Sequence, residues 1–473
     1  ISKLACIHRW VYIYVSGTIK NTFLTFFKEM TLKPNSRSYE AWKSPPLALS
    51  IDIYLFNWTN PQELRVRGAK PVLVQLGPYR FREVKDKVDI DWHPENGTVS
   101  FKTKSLYYFD AEGSKGSLDD VVTTLNIIAL SVSIGLGLYI NYFSLLKLQS
   151  KRQVSFYTFL QRNGSADLMG HFNMFTGEDD IENIGKMHTW NYKTNSGAFE
   201  SYCGMVNGSA GEFFPQNLKK DTPISLWTPD MCRTLNFDYT ETENILGIEG
   251  YKYSGTSKSV DNGTLYPENK CFCGDECVRS GVIDISACRF GSPVFVSYPH
   301  FFNADPFYRQ QVIGLMPSKK RHEFYMILEP TTGIALEVAA RLQINSKLKF
   351  SLIKAPSIFF PVIWFEQKVT INEALASDLK MLLSIPTTGH ICSGIVFTIG
   401  LIMIFWFPVD KLVRRRNSTL KSKKKQTTKD KEAGEKGEEA SPFLTRNGKL
   451  PNITFIDVSK SEKASPKKEK HSE

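Results

Sequence analysis

An uncharged segment near the C-terminus, Ile391–Val409, constrains this chain more than any other feature. Its 19 residues, ICSGIVFTIGLIMIFWFPV, are enough to cross the hydrocarbon core of a bilayer as an α-helix. Four basic residues follow at once: Lys411, Arg414, Arg415 and Arg416. Because a positive cluster beside an apolar segment is typical of the cytoplasmic flank, the sequence predicts a transmembrane helix over 389–409 rather than a buried core helix.

The basic charge of the chain lies mostly in the C-terminal tail, residues 410–473. The whole chain has a formal net charge of +11 at pH 7, and the tail alone contains 18 Lys or Arg against 10 Asp or Glu. The remaining body is nearly neutral, which argues against a nucleic-acid-binding domain. The tail is predicted to be disordered and cytoplasmic, because it has too few apolar residues to form a core. Its first fifteen residues are basic enough to bind the anionic lipids of the inner leaflet. The equally favoured alternative is that these residues are simply exposed to water.

Five Asn-x-Ser/Thr sequons precede the apolar segment, at Asn57, Asn96, Asn163, Asn207 and Asn262. A sequon accepts a glycan only where its loop is lumenal or extracellular. The sequence therefore predicts one large extracellular domain over 28–388 that carries glycans at all five sites. The further sequons at Asn417 and Asn452 fall on the predicted cytoplasmic side and are expected to stay unmodified.

Six cysteines cluster in the predicted ectodomain: Cys203, Cys232, Cys271, Cys273, Cys277 and Cys288. An even set in a glycosylated domain indicates three disulfides, although spacing alone leaves most pairings open. Cys273 and Cys277 are placed to close a tight loop through Gly274. The alternative is a zinc site on Cys-x-Cys-x3-Cys, but thiolate metal sites belong mainly to reducing compartments.

Two other apolar stretches complicate the membrane prediction. Val121–Leu146 is uncharged and long enough to cross a bilayer, but a crossing there would separate the first two sequons from the other three. We therefore expect helix with an apolar face over 118–148. Residues 1–27 are apolar and aromatic but interrupted by charge, which suggests a degenerate or truncated N-terminal membrane anchor.

The residue pattern of the predicted ectodomain is mainly that of β-strands, with a second helical segment at Glu373–Leu383. The expected class is α+β, an antiparallel sheet with helices at one end. Asn96-Gly97 predicts a hairpin, and Glu329–Gly333 predicts a turn. The predicted strands are rich in β-branched and aromatic residues and are bounded by Gly, Pro and Asn: Leu49–Phe56, Val72–Leu76, Tyr79–Val84, Thr98–Lys102, Val294–Tyr298, Phe324–Leu328 and Ile334–Ile344.

No catalytic or cofactor signature is present in the sequence: neither a nucleophile elbow, HExxH, a P-loop nor a dinucleotide fingerprint. The acidic run Glu178-Asp179-Asp180 is not followed by EF-hand spacing. Four histidines lack neighbours at metal-ligand spacing and are expected to be structural: His171, His188, His300 and His322. The sequence therefore predicts no metal, no cofactor and no enzyme activity.

Many separate motifs, in order, give the chain its resemblance to a known family. They are FNWTNPQE (Phe56–Glu63), GAKPVLVQLGPYRFRE (Gly68–Glu83), TLNII (Thr124–Ile128), FTGEDDI (Phe175–Ile181), CFCGDEC (Cys271–Cys277), GVIDISACRFGSPVFVSYPHF (Gly281–Phe301), EPTTGIALEVAARLQIN (Glu329–Asn345) and PVIWFEQ (Pro361–Gln367). Over about residues 29–407 the sequence resembles the class B scavenger receptors. That family includes fatty-acid translocases, lysosomal integral membrane proteins and the insect croquemort and sensory-neuron membrane proteins.

The resemblance implies a fold and a disulfide pattern. The fold is a large ectodomain between terminal membrane helices, with an irregular antiparallel β-barrel that encloses a hydrophobic tunnel and carries a helical apex. It assigns Val121–Leu146 to the apical helices. The implied disulfides are Cys203–Cys271, Cys232–Cys288 and Cys273–Cys277. Between Lys151 and Phe156 the chain is shorter than the family pattern, and this shortening affects the apex.

The function that the resemblance implies is that of a cell-surface scavenger receptor. It would bind and take up lipids, fatty acids, lipoproteins or apoptotic and microbial surfaces, with its ectodomain outside the plasma membrane. A small basic patch after the apolar helix could attract anionic ligands: Lys147, Lys151 and Arg152. The alternatives are a lysosomal membrane trafficking receptor, whose acidic dileucine signal is incomplete at Glu439–Leu444, and a sensory-neuron membrane protein for lipidic pheromones.

Overall fold

A computed structural model describes residues 31–45, 49–66, 68–125, 163–273, 277–289, 291–348 and 357–434. The strands in these ranges are β1 Leu49–Trp58, β2 Leu73–His93, β3 Thr98–Asp110, β4 Phe172–Phe175, β5 Met187–Trp190, β6 Ile224–Thr228, β7 Arg233–Ile245, β8 Ile248–Ser254, β9 Val282–Asp284, β10 Val294–Ser297, β11 Tyr325–Leu328, β12 Ala335–Leu348 and β13 Ile358–Thr370. The α-helices are α1 Arg37–Lys43, α2 Pro306–Gln310, α3 Lys319–His322 and α4 Glu373–Gly434.

The strands form one antiparallel sheet with the order β5-β4-β3-β2-β1-β13-β12-β11-β8-β7-β6. β10 adds to it by pairing with β12 on one side and with β9 on the other. The longest pairings are the β2–β3 hairpin and the β12–β13 ladder. The predicted antiparallel class is therefore confirmed.

A short segment, Gly208–Ala210, joins the two ends of this sheet. On the β5 side, the Met187 N–H donates to the Gly208 carbonyl at 2.8 Å. On the β6 side, the Ser209 N–H donates to the Ser225 carbonyl at 2.8 Å. Because both edges bond to the same segment, the sheet curls into a nearly closed barrel.

The hairpin predicted at Asn96-Gly97 is confirmed, and it joins two strands longer than expected. Gly97 turns the chain with φ of +62°, a conformation that glycine adopts at little cost. The two predicted strands Val72–Leu76 and Tyr79–Val84 are one strand, β2. The turn predicted at Glu329–Gly333 lies as expected between β11 and β12, where the Gly333 N–H donates to the Glu329 carbonyl at 2.9 Å.

Within the described residues, α4 is the one helix long and apolar enough to cross a membrane. It begins at Glu373, as predicted, and Ala376 and Leu379 in its first turns are buried against Ile327 and Leu336 of the barrel. It then continues without a break to Gly434. The predicted disorder of the tail is therefore wrong for residues 410–434, where Lys, Glu and Ala favour helix enough for the span to propagate.

The helix predicted over 118–148 is wrong in its first part, because residues 118–125 form a turn followed by irregular chain. Strand β1 holds this stretch: the Trp58 N–H donates to the Thr123 carbonyl, and the Thr123 N–H donates to Asn57 Oδ1. These bonds replace the i to i−4 pattern that a helix requires. The remainder of the predicted apical helix, and residues 1–27, lie outside the described residues.

Candidate functional site: the barrel interior

Strand alternation assigns the side chains of β2 to two faces of the barrel wall. Arg82 and Val84 are exposed on the outer face. Tyr79 and Phe81 are buried on the inner face, and Phe81 pairs with Phe109 of β3 with ring centroids 5.4 Å apart. Because side chains alternate along a strand, the inner row of β2 continues as Glu83, Lys85 and Lys87.

On β12 the burial differs from that expected for a barrel filled with apolar side chains. The outward-facing Arg341 and Gln343 are 5% and 0% exposed, because the chain before β11 covers them. The inward-facing Leu342 and Ile344 are only half-buried, and so is Phe365, which lies opposite Leu342 on β13. In a close-packed core these apolar side chains would be fully buried. Their partial exposure indicates accessible space on the inner face.

A buried carboxylate interrupts the apolar inner face. Glu83 is 8% exposed, and it accepts hydrogen bonds from Ser105 Oγ at 2.7 Å, Tyr107 Oη at 3.1 Å and Gln367 Nε2 at 2.5 Å. Three donors, from β3 and β13, therefore hold this group in place. With donors on both of its oxygens, Glu83 is well satisfied where it lies.

Next to it, Lys87 is buried and paired with Glu212. Its ammonium lies 2.5 Å from Glu212 Oε1 and 3.3 Å from Thr103 Oγ1, and it faces the rings of Phe101 and Trp42 at 4.8 and 5.8 Å. Burial lowers the pKa of Lys87 to about 8, although Glu212 opposes this shift. Burial would raise the pKa of Glu212, but the neighbouring ammonium groups outweigh it and lower that pKa. Each charge of the pair therefore favours the ionised form of the other.

We call the charged and amide groups of the inner face the interior polar belt: Glu83, Lys85, Lys87, Glu212 and Gln367. The sequence analysis assigned no function to any of them. The only local signal is the alternation along β2, which places charged residues on the same face as Tyr79 and Phe81. The partnership with Glu212 has no local signal, because it joins residues 125 positions apart.

The four histidines that the sequence predicts to be structural pack against aromatic rings. His300 and His322 are buried against Trp364, His171 stacks on Tyr192, and His188 contacts Phe175. Across the residues that the structure describes, no group of three or more His, Cys, Asp or Glu side chains is arranged to hold a metal.

The six clustered cysteines are paired as the family resemblance implies. Cys203 bonds to Cys271, Cys232 to Cys288 and Cys273 to Cys277, with Cα–Cα distances of 5.8, 5.8 and 5.1 Å. The first two bridges tie the chain before β6 and β7 to the segments that flank β9. Because all six cysteines are in the three bridges, none of them remains as a thiolate for the alternative zinc site.

The five sequons differ in accessibility. Asn96, Asn163 and Asn207 are exposed and Asn57 is half-buried. Asn262 is 5% exposed, and its side-chain nitrogen donates to the Val278 carbonyl. The predicted basic patch at the apex lies outside the described residues: Lys147, Lys151 and Arg152.

Comparisons with known proteins relate this barrel to a family. The CD36 family profile matches residues 3–151 and 137–410, two stretches that overlap over residues 137–151. The protein peste of Drosophila melanogaster is 42% identical over 439 residues, 84% of this chain and 79% of the relative. Lysosome membrane protein 2 of Mus musculus is 30% identical (81% and 87%), and scavenger receptor class B member 1 of Sus scrofa is 28% identical (91% and 92%). The chain belongs to the CD36 family, that of the class B scavenger receptors.

Proposed function

We propose that this protein is a cell-surface scavenger receptor that binds lipids, fatty acids or lipoproteins and takes up lipid through an apolar passage in its barrel. The observation that carries the proposal is the inner face of β12 and β13. There Leu342, Ile344 and Phe365 face the interior and remain partly exposed. An apolar surface that is accessible from within a barrel wall suits the acyl chain of a lipid.

The physical basis of such transfer is the removal of the acyl chain from water. Burial is worth about 0.8 kcal/mol for each methylene group, so a long chain is strongly favoured inside an apolar passage. No bond has to be formed or broken. The function therefore needs no catalytic residue, and we propose that the protein is a receptor and not an enzyme.

The rest of the chain suits a display of the barrel outside the cell. The disulfides are typical of an oxidising compartment, and the exposed sequons are accessible to glycosylation. The uncharged part of α4 would cross the membrane, and its basic continuation over 410–425 would meet the anionic inner leaflet. Lys147, Lys151 and Arg152 would attract anionic ligands such as oxidised lipoprotein or apoptotic and microbial surfaces before the lipid enters the barrel.

Uptake of a fluorescent lipid by cells that express the protein tests this function. Leu342→Trp would fill the interior beside Phe365 and should reduce uptake several-fold at equal surface expression. Val84→Trp is the matched control, since Val84 is exposed on the outer face, and it should leave uptake unchanged. Uptake no faster than in untransfected cells, or equal loss in both variants, would refute the proposal.

A second candidate function is that of a lysosomal membrane receptor. The similarity to lysosome membrane protein 2 of Mus musculus, 30% identical over 424 residues, favours it. Surface biotinylation separates the two locations. A receptor of the plasma membrane is labelled on intact cells, whereas a lysosomal protein is labelled only after permeabilisation and colocalises with lysosomal markers.

A further inference from the structure

We propose that Ser418, on the part of α4 that follows the membrane span, is phosphorylated by an arginine-directed serine kinase of the cytoplasm. This inference rests on the orientation proposed above, in which the C-terminal part of α4 lies inside the cell. It adds to that orientation a modification site within the basic segment 410–425.

The first step is the charge pattern before the acceptor. Arg416, Arg415 and Arg414 lie two, three and four positions before Ser418. Kinases that select basic substrates bind such arginines with carboxylates, because a guanidinium donates two parallel hydrogen bonds to a carboxylate. Ser422, on the same helix, has no basic residue at any of these three positions. The pattern therefore favours Ser418 over Ser422 as the acceptor.

The second step is the accessibility of the acceptor. Every residue of α4 from 411 to 425 is exposed, so no side chain of this stretch is held in a core. Ser418 lies nine residues beyond Val409, the last residue of the uncharged span. At 1.5 Å per residue this is about 14 Å along the helix, which leaves the hydroxyl clear of the hydrocarbon core.

The third step is that the helix is weak at the acceptor. A protein kinase binds its substrate in extended form, so α4 has to open locally. Asn417, Ser418 and Thr419 are three consecutive poor helix formers. The hydroxyls of Ser418 and Thr419 both donate to the Arg415 carbonyl at 2.8 Å, a pattern that slightly destabilises helices. The arginines that recruit the kinase thus directly precede the turn that opens most easily.

The fourth step is the transfer and its product. Ser418 Oγ attacks the γ-phosphorus of ATP as the bond to the bridging oxygen breaks; ADP leaves, and the hydroxyl proton passes to the carboxylate base of the kinase. Arg414, Arg415 and Lys421 lie three or four positions from Ser418, so they neighbour the new phosphate on the helix surface.

The phosphate changes the charge of the basic segment. Residues 410–425 contain eight Lys or Arg and one Asp, a net charge of +7. A phosphate adds about −1.5 to −2. Phosphorylation therefore removes about a quarter of the positive charge that faces the anionic inner leaflet.

Mass spectrometry of the full-length protein tests the site, after expression in cells treated with a phosphatase inhibitor. Cleavage after acidic residues releases the peptide 411–430, in which Thr419 and Ser422 are competing acceptors. We expect one phosphate, at Ser418, and none in Ser418→Ala. Replacing both Arg415 and Arg416 with Gln should lower the phosphorylated fraction tenfold or more, because it removes the groups that the kinase binds.

The matched control replaces both Lys423 and Lys424 with Gln. It removes the same charge from the same exposed helix, but after the acceptor, and should leave the phosphorylated fraction unchanged. Surface biotinylation checks that each variant reaches the membrane in equal amount. A peptide without phosphate, a phosphate at Ser422 instead, or an equal loss in both double variants overturns the proposal.

The same peptide reports the orientation on which the proposal rests. Asn417, Ser418 and Thr419 form a sequon, so a tail outside the cytoplasm would carry a glycan at Asn417. A glycan there refutes the orientation and the kinase site together. An unmodified peptide in cells that take up lipid overturns the kinase site alone, whereas a phosphate at Ser418 in cells without uptake refutes the proposed function alone.

Discussion

The imidazole ring of His300 stacks on that of His322, with centroids 4.4 Å apart and planes inclined by 11°. His300 Nδ1 accepts a hydrogen bond from the Met316 N–H, and its Nε2 lies 2.7 Å from Gln75 Oε1. Two stacked rings beside the same indole, that of Trp364, cannot both carry a charge cheaply. Burial lowers the pKa of His300 to about 4, with Arg321 acting in the same direction. Burial likewise lowers the pKa of His322 to about 3, with His300, Arg321 and Arg341 adding to the shift.

This pair predicts a loss of stability in acid. Below the unfolded pKa of about 6.5 the unfolded chain binds two protons that the folded chain does not, so the free energy of unfolding falls as the pH falls. For two histidines the slope approaches about 2.7 kcal/mol per pH unit and persists until the folded pKa values are reached. Urea denaturation between pH 7 and pH 4 measures it.

Replacing one of the two histidines should halve that slope. His322→Gln removes one of the two protons, whatever its effect on stability at neutral pH. His188→Gln is the control, since His188 is only half-buried, against Phe175. An unchanged slope in His322→Gln would show that other groups cause the acid sensitivity.

A second prediction concerns the glycans. Asn57, Asn96, Asn163 and Asn207 should carry them in the mature protein, whereas Asn262 should not, because its side-chain nitrogen is buried and bonded to the Val278 carbonyl. Mass spectrometry of the deglycosylated protein reads out each site. Asn262→Gln should change the mass of the glycosylated protein only by the added methylene group, while Asn207→Gln should lower it by one glycan. Occupancy at Asn262 would contradict the burial of this side chain.

The strands that sequence patterns predicted best are β1 and β12, in which apolar residues alternate along the chain. β7 was missed, because its second half, with Thr240, Glu241, Thr242 and Glu243, has no apolar alternation. This half pairs with β8, beyond the residues of β7 that pair with β6. β13 was missed although its PVIWFEQ motif was noted. It contains Pro361, which disfavours a central strand, and a register shift at Ile344/Asn345 accommodates the proline opposite Asn345.

The interior polar belt was less accessible to sequence reasoning than the strands that carry it. Alternation can place Glu83, Lys85 and Lys87 on one face, but it does not reveal that this face is the interior. That depends on the curl of the whole sheet and on its closure by Gly208–Ala210. The disulfides show the opposite case, since a family pattern gave their pairing where spacing alone left it open.

A third prediction compares two disulfides by loop length. Cys232 and Cys288 are 56 positions apart, and Cys273 and Cys277 are 4 apart. In the chain-entropy description the long loop is worth about 4 kcal/mol and the short loop about 2 kcal/mol. Replacing both members of the long-loop pair with Ala should therefore lower the free energy of unfolding about twice as much as the same change in the short-loop pair. Equal losses, measured by chemical denaturation without reductant, would contradict this.

A fourth prediction concerns the ion pair between Arg341 of β12 and Glu366 of β13. Arg341 Nε and Nη2 lie 2.8 and 2.6 Å from Glu366 Oε1, and its Nη1 donates to the Glu323 carbonyl at 2.8 Å. Arg341→Met leaves a largely buried carboxylate and a carbonyl without these donors. Breaking a buried pair in this way typically costs 3–5 kcal/mol, so we expect a loss of about 4 kcal/mol in the free energy of unfolding.

The same two strands offer the control. Lys368 lies 3.0 Å from Glu337 Oε1 with its side chain 45% exposed, and a pair with an exposed lysine is worth about 0–1 kcal/mol. Although Glu337 is only 12% exposed, Tyr325 and Thr370 still donate hydrogen bonds to it when Lys368 is replaced. Lys368→Met should therefore shift the denaturation midpoint little. Arg341→Lys should fall between the two, because a lysine keeps the charge but cannot donate to Glu366 and to the Glu323 carbonyl in the planar geometry of a guanidinium. If Arg341→Met proves no more costly than Lys368→Met, the pair does not stabilise the β12–β13 ladder. The burial of polar side chains on the outer face of β12 would then need another cause.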